Sequence, residues 1–220
     1  MGGEGNSWFL RNKSTLTNEE RVAHDPVLKL LDLTGLVPED VLEVGASNGW
    51  RLHALHTRYN CRVTAIEPSQ EAIEDGQTRY PSVRFLRGIT SSIPIESDCQ
   101  FNLIIVNFVL HWVDRSTLLR SIAEIDRVLK DGGYLIVGDF YPARPEKVSY
   151  HHMPEGNVWT YKQNYVEILL ASNLYDLVAF FTYEAGTRKM KLDVESGNRC
   201  FVGLLRKMLN CQYKTTFFRR

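Results

Sequence analysis

No charge sign dominates this sequence: 26 Lys and Arg residues stand against 26 Asp and Glu residues, and the basic ones form no long block. The chain therefore lacks a field that would gather nucleic acid or an anionic membrane, and a polymer substrate loses weight. Cysteine is scarce too. Cys61, Cys99, Cys200 and Cys211 have neither CxxC spacing nor a companion His pattern, so neither a metal site nor a disulfide framework is expected. No apolar stretch approaches the roughly 20 residues of a membrane helix. The opening "MGGEGN" lacks the basic-then-apolar order of a secretory leader, and Asn6 stands where acylation at Gly2 would require Ser or Thr. The expected address is the cytoplasm. Repeats and low-complexity tracts are absent as well, and 220 residues suffice for one domain with a sizeable core.

What is present is an alternation of two periodicities. The runs "VLEV", "CRVTAIE", "VRFLR", "FNLIIVN" and "YLIVGDF" are short, apolar and rich in β-branched residues, as strands covered on both faces should be. Helical spacing separates them: residues 50–59, 69–78, and "RSTLLRSIAEIDRVLK", whose end is marked by "KDGG". This predicts an α/β fold with a doubly wound, mostly parallel sheet of seven strands, the last antiparallel. The expected organisation is an N-terminal helical cover over 1–36, a cofactor-binding core over 41–139, a lid insertion over 140–162, and a C-terminal helix and strands over 163–220. In the cover, a polar, loose start precedes a helix with Thr17 as N-cap and Glu20 three residues later, kinked or split by Pro26. In the lid, "YPARPEKVSYHHMPEGNVWT" reads as a long binding loop dense in Pro, Tyr and His, followed by a helix over "YKQNYVEILLAS" and strands over "LYDLVAFFTY" and "NRCFVGLLRKM".

The stretch "VLEVGASNGW" carries the chemistry. A strand that ends in small residues and opens a helix turns free backbone N–H groups and a positive helix end toward a ligand. The dinucleotide pattern Gly-x-Gly-x-x-Gly fails here, because Ser47 and Trp50 occupy the second and third glycine places after Gly45. Glu43, two residues before the loop, would repel a pyrophosphate and suits a ligand with an ammonium group. S-adenosylmethionine is such a ligand.

At these residues the chain resembles the class I S-adenosylmethionine-dependent methyltransferases. "VLEVGASNG" is similar to their first motif, "VTAIEPS" to the acidic end of the second strand, "FNLIIVNFVLHWV" to the fourth strand with its trailing loop, and "RVLKDGGYLIV" to the junction before the fifth. The "NFVLHWV" segment looks most like the small-molecule branch that includes trans-aconitate and quinone-pathway enzymes. The resemblance implies methyl transfer to a small-molecule acceptor, with S-adenosylhomocysteine as product, by a monomer or homodimer. It places Glu43 near the methionine amine, the N–H groups around Gly45, Ala46, Ser47 and Gly49 at the carboxylate end, Glu67 on the ribose hydroxyls, and Ile66 and Pro68 beside the adenine. Asn107 and Phe108 complete the cofactor set.

Two departures stand out. Ser47 replaces a common glycine, which is tolerable at negative φ. Ile89 replaces an aspartate that usually meets the adenine amine, so Thr90, Ser91 or a backbone carbonyl must serve instead. Catalytic candidates are His111 after the fourth strand and His151 and His152 in the lid, with Trp112, Tyr150, Trp159 and Tyr161 for the acceptor. Taken singly, Glu67 equally fits an acid favoured at a helix N-terminus, Gly45 a turn glycine, and His111 and Trp112 a capped strand end with a core indole. Trp8, Phe9 and Arg11 are similar to an aromatic-plus-basic segment that covers the cofactor in some relatives, and equally fit a disordered tail. The alternative from another class is a methyltransferase-fold binding or partner subunit without chemistry.

Overall fold

A computed structural model describes residues 2–16, 22–98, 100–150, 152–153, 158–191 and 193–209. The expected Thr17–Glu20 cap, Cys99, Cys211 and His151 lie outside the described residues. Strands β1 (Asp40–Val44), β2 (Arg62–Glu67), β3 (Arg84–Arg87), β4 (Phe101–Asn107), β5 (Leu129–Phe140), β8 (Tyr175–Glu184) and β9 (Arg199–Lys207) form a seven-stranded sheet in the order β3-β2-β1-β4-β5-β9-β8. Only β9 is antiparallel to its neighbours β5 and β8, as the sequence implies for the last strand.

The strands are buried because both faces are covered. Leu42, Val44, Ile104, Val106, Leu135 and Val137 point to one side, where α5 (Leu118–Val128) and α6 (Val166–Ala171) pack. Val41, Leu103, Ile105 and Ile136, one residue out of phase, point to the other, under α2 (Pro26–Thr34) and α3 (Trp50–Tyr59). Each such side chain contributes about 1.5–3 kcal/mol of burial. The chain runs from β1 outward to β3 and then crosses back to β4, so the strand order reverses between β1 and β4. In doubly wound sheets the crevice beyond the carboxyl ends at that reversal is where ligands bind.

Pro26 does not kink a longer helix but starts α2, because Asp25 caps it by accepting from Leu28 N at 3.1 Å and a proline at the first turn forfeits no bond. Gly35, at φ 65°, closes it. Helix α4 (Gln70–Arg79) is capped by Ser69 Oγ, which accepts from Ala72 N at 3.2 Å.

Two expectations fail. The opening residues are not loose: Gly2–Leu16 form helix α1, and its Phe9 and Leu16 are buried against Trp50 and Ala72. Three glycines make this a poor helix on its own, so tertiary contacts stabilise it, among them Lys13 Nζ to Asp75 Oδ1 at 2.9 Å. The lid is also not a loop: β6 (Glu146–Ser149) and β7 (Trp159–Lys162) pair as an antiparallel hairpin. The Pro and His density masked the alternation in "EKVS" and "WTYK", and the helix expected from Tyr161 starts only at Val166 because Trp159–Lys162 are used as strand.

Beneath the first loop, Arg51 of α3 donates to Asp25 through Nε at 3.1 Å and Nη2 at 3.0 Å, and its Nη1 pairs with Glu43 of β1. All three side chains are buried. Asp25→Ala should lower stability by about 1–3 kcal/mol, because it uncaps α2 and leaves Arg51 Nε and Nη2 without their acceptor, although Glu43 still pairs with Nη1. Urea unfolding measures this, and a loss under about 1 kcal/mol would contradict the role given to the cluster.

Candidate active site

The loop after β1 folds back on β2. Gly45 N and Ala46 N donate to Ile66 O at 2.8 and 3.2 Å, and Gly45, Ser47 and Gly49 have φ values of 76°, 53° and 74°. At Gly45 a side chain is disfavoured for a second reason: a Cβ would meet Val109, from the loop that follows β4, which would have to shift. The condition under which a serine is easily tolerated at position 47, a negative φ, is therefore not met. The serine keeps the left-handed conformation a glycine would take, a strained state for a residue with a Cβ.

Glu67, at the end of β2, is buried beside this loop. Its Oε2 accepts from Ser47 N at 2.7 Å and its Oε1 from Ser69 N at 2.9 Å. Burial pushes its carboxyl above the ordinary value, while the two backbone donors pull it back. Each oxygen keeps a second lone pair for another donor. Glu43 is only 1% exposed. Its Oε1 is taken by Arg51, which the sequence reading missed, and its Oε2 has no hydrogen-bond partner. Burial pushes this carboxyl up to about 7, against the attraction of Arg51.

Other cofactor candidates divide. Asn107 Oδ1 and Ser47 Oγ are buried without hydrogen-bond partners, and Asn107 Oδ1 sits where a side chain on Gly138 would have to be. Phe108 turns the chain at φ 56° and bonds Gly138 O at 2.7 Å. Ile66 is corrected: its side chain is wholly in the core, and only its carbonyl serves the loop. Pro68 is half-buried, 3.7 Å from where a Cβ on Gly5 of α1 would stand. Thr90 is also corrected, since its hydroxyl bonds Ser121 Oγ at 3.0 Å on α5 and is not open to a base. Ser91 is half-buried, and Ile89 is 49% exposed.

Beyond β4 and β5 a line of rings begins. His111 lies in a 3-10 turn (Leu110–Trp112) and is buried, with its N donating to Asp139 Oδ2 at 3.1 Å. Its Nδ1 is 2.9 Å from Asp139 Oδ1, out of line for a hydrogen bond in this geometry. Asp139 was legible but missed: a lone acid in an apolar strand is the same signal as Glu43. The His111 ring meets Phe140 at 5.0 Å, Trp112 at 5.7 Å and Phe108 at 6.0 Å. Trp112, half-buried rather than a core indole, meets Tyr150 at 4.5 Å, which meets exposed His152 at 5.4 Å. Tyr150 is tied to α1: its hydroxyl donates to Glu4 Oε1 and accepts from Arg11 Nη2, each at 2.8 Å. Burial and the Glu4 bond push its hydroxyl up to about 12. Trp159 and Tyr161 face away from this line, Tyr161 lying 4.2 Å from the Arg115 guanidinium and Trp159 4.1 Å from Lys147 Nζ. Among the described residues no group of His, Cys, Asp and Glu could hold a metal ion, and no helix is long and apolar enough to cross a membrane.

Residues 41–133 match a family model described as a methyltransferase domain. The match covers the parallel part of the sheet, from β1 into β5. The demethylmenaquinone methyltransferase of Renibacterium salmoninarum is 30% identical over 112 residues, covering 50% of this chain and 46% of that protein. The ubiquinone/menaquinone biosynthesis C-methyltransferase UbiE of Campylobacter jejuni is 28% identical over 102 residues, covering 46% of this chain and 40% of that one. The chain thus matches less than half the length of each of these relatives. Among solved structures, Burkholderia thailandensis 1,6-didemethyltoxoflavin-N1-methyltransferase with bound 1,6-didemethyltoxoflavin and S-adenosylhomocysteine superposes with a TM-score of 0.71 at 19% identity, over 94% of this chain and 87% of that one. This likeness establishes the fold.

Ser47→Gly should raise stability by about 1 kcal/mol by removing strain at the positive φ, readable as a higher urea midpoint; an unchanged midpoint would show the serine to be unstrained. For Glu43, the folded state holds a proton between the ordinary 4.5 and about 7, where the unfolded chain has lost it. Its contribution is complete at low pH and disappears as the pH rises through about 7. Unfolding free energies at about pH 5 and about pH 8 should show the wild type losing ground to Glu43→Gln at the higher pH. A constant difference between the two proteins would contradict the shift.

Proposed function

We propose that the protein transfers the methyl group of S-adenosylmethionine to a small-molecule acceptor. The observation that carries this reading is the orphaned Glu43 Oε2 beside a left-handed loop, with Glu67 at the next strand end. Buried acceptor atoms without donors suit a ligand that brings N–H and O–H groups, and an ammonium with ribose hydroxyls brings both. The same set disfavours a diphosphate, which would meet two buried acids.

In this reading Glu43 Oε2 holds the methionine amine, with Arg51 fixing the carboxylate from behind. The loop 45–49 takes the ligand's carboxylate end, Glu67 takes the ribose hydroxyls, and Pro68 borders the base. When bound, S-adenosylmethionine supplies a methyl group on a positively charged sulfur, an already activated leaving group. The chain's remaining task is orientation, which supplies about 7–11 kcal/mol, against ~3–5 kcal/mol for a general base. Phe108, His111, Phe140 and Trp112 form aromatic walls that tolerate a neighbouring cation. His111, steadied by Asp139, would take the proton that the acceptor loses on methylation. The relatives named for quinone-pathway methylation and the neighbour carrying S-adenosylhomocysteine support both halves of the reading.

Calorimetry tests the cofactor half. S-adenosylhomocysteine should bind, and Glu67→Gln should weaken it about 10–100-fold, the worth of a charge-assisted bond. Absence of binding, or preference for a dinucleotide, would overturn the reading. His111→Asn should lower kcat by about 10²–10⁴-fold while leaving S-adenosylhomocysteine affinity unchanged; normal turnover would exclude His111 as the base.

A further inference from the structure

Lys162 has no part in the account above. It ends β7 and is half-buried, with Nζ 4.6 Å from the centre of the Phe140 ring. Phe140 in turn touches His111 at 5.0 Å and Phe108 at 5.2 Å. No carboxylate among the described residues lies within 4.0 Å of this ammonium. The omission is not for want of a neighbour. Glu146 stands directly opposite Lys162 in the hairpin register, where an exposed cross-strand pair would ordinarily form. The lysine instead turns inward over the ring. Asp139, the acid of this region, is fully buried and already accepts from His111 N and Phe140 N. The neighbouring Cys200, opposite Phe140 on β9, has its thiol pushed up to about 12 by burial and is neutral at ordinary pH. Lys147 lies on the other face of the hairpin, over Trp159.

An ammonium held over an aromatic wall, one ring away from the candidate base, is a cation without an anion. The sulfonium of the proposed cofactor would add a second positive charge to the same crevice. An acidic acceptor would give the ammonium the ion-pair partner that Glu146 does not provide, whereas a neutral acceptor would leave it resting on the ring alone.

We propose that Lys162 binds an acidic group of the acceptor, and that the acceptor is a planar conjugated acid whose methylated atom lies about one ring away, at His111. This rests on the methyl-transfer reading and narrows it to a substrate class. The rings of Phe140, Phe108 and His111 meet one another edge to face, at 76–81°, so a flat acceptor would lie on one ring and meet the edges of the others, with Lys162 gripping its end remote from the base.

The test uses the intact protein saturated with S-adenosylhomocysteine and a panel of matched pairs: benzoate, 4-hydroxybenzoate, 4-coumarate and 2-naphthoate, each against its primary amide. Calorimetry should find at least one acid binding about tenfold or more tightly than its amide. Lys162→Met should abolish that preference and Lys162→Arg should retain it, with S-adenosylhomocysteine affinity unchanged in both. Circular dichroism of the Met variant checks that the hairpin is intact, and the Arg variant reports the same charge independently. If no acid in the panel outbinds its amide, or if the preference survives Lys162→Met, the proposal is overturned. Should S-adenosylhomocysteine fail to bind the wild type at all, the methyl-transfer reading falls first.

Discussion

The arrangement depends on one guanidinium. Arg51 reaches from α3 into the space between the sheet and α2, where it holds the Asp25 carboxylate that caps α2 and the Glu43 carboxylate one residue before the end of β1. Two buried acids share a single buried base, so the cluster carries an uncompensated negative charge unless a proton or a cation joins it. The buried, partnerless oxygen of Glu43 is where that deficit is left unanswered. A buried pair of this kind is a poor source of stability, but it positions the acid with little freedom, and position is what a ligand-holding carboxylate needs.

Strain collects around the same crevice. Ser47 and Phe108, both with side chains, adopt left-handed backbone at the ends of β1 and β4, and these are the two strands between which the sheet reverses its order. Neither conformation would survive in a free loop. At Ser47 the Glu67 carboxylate fixes the N–H, and at Phe108 the Gly138 carbonyl does so. The bonds that define the crevice therefore also hold its rim in place, and loop geometry and site geometry cannot vary independently.

Much of this was legible in the residues. Unbroken apolar runs such as "FNLIIVN" gave strands with nearly correct bounds because burial on both faces leaves no alternation to misread. Glu43, Gly45 and Glu67 stood out by their order at successive strand ends, since each taken singly fits an ordinary helix-end acid or turn glycine. Arg51 and Asp25 were not, since an arginine in a helix and an aspartate before a proline look like an exposed side chain and a plain cap until the helix is docked. Lys162 was hidden by a wrong element: read as helix, its segment gives no cross-strand partner, and the failure to pair with Glu146 has no meaning. Helix α1 lay beyond reach because its stability resides in what Phe9 and Tyr150 touch, not in its glycine-rich sequence.

That helix has a consequence for traffic through the crevice. Its Gly5 rests on Pro68 and Ser69, its Lys13 is anchored to Asp75, and Glu4 and Arg11 clasp Tyr150 beside the hairpin. In the proposed function a nucleoside lodged by Glu67 would be roofed by the first turns of the polypeptide, and its entry and departure would depend on those clasps. Whatever is fused ahead of Gly2 rides on the roof, so the choice of which end carries a purification handle is a choice about how freely the roof can lift.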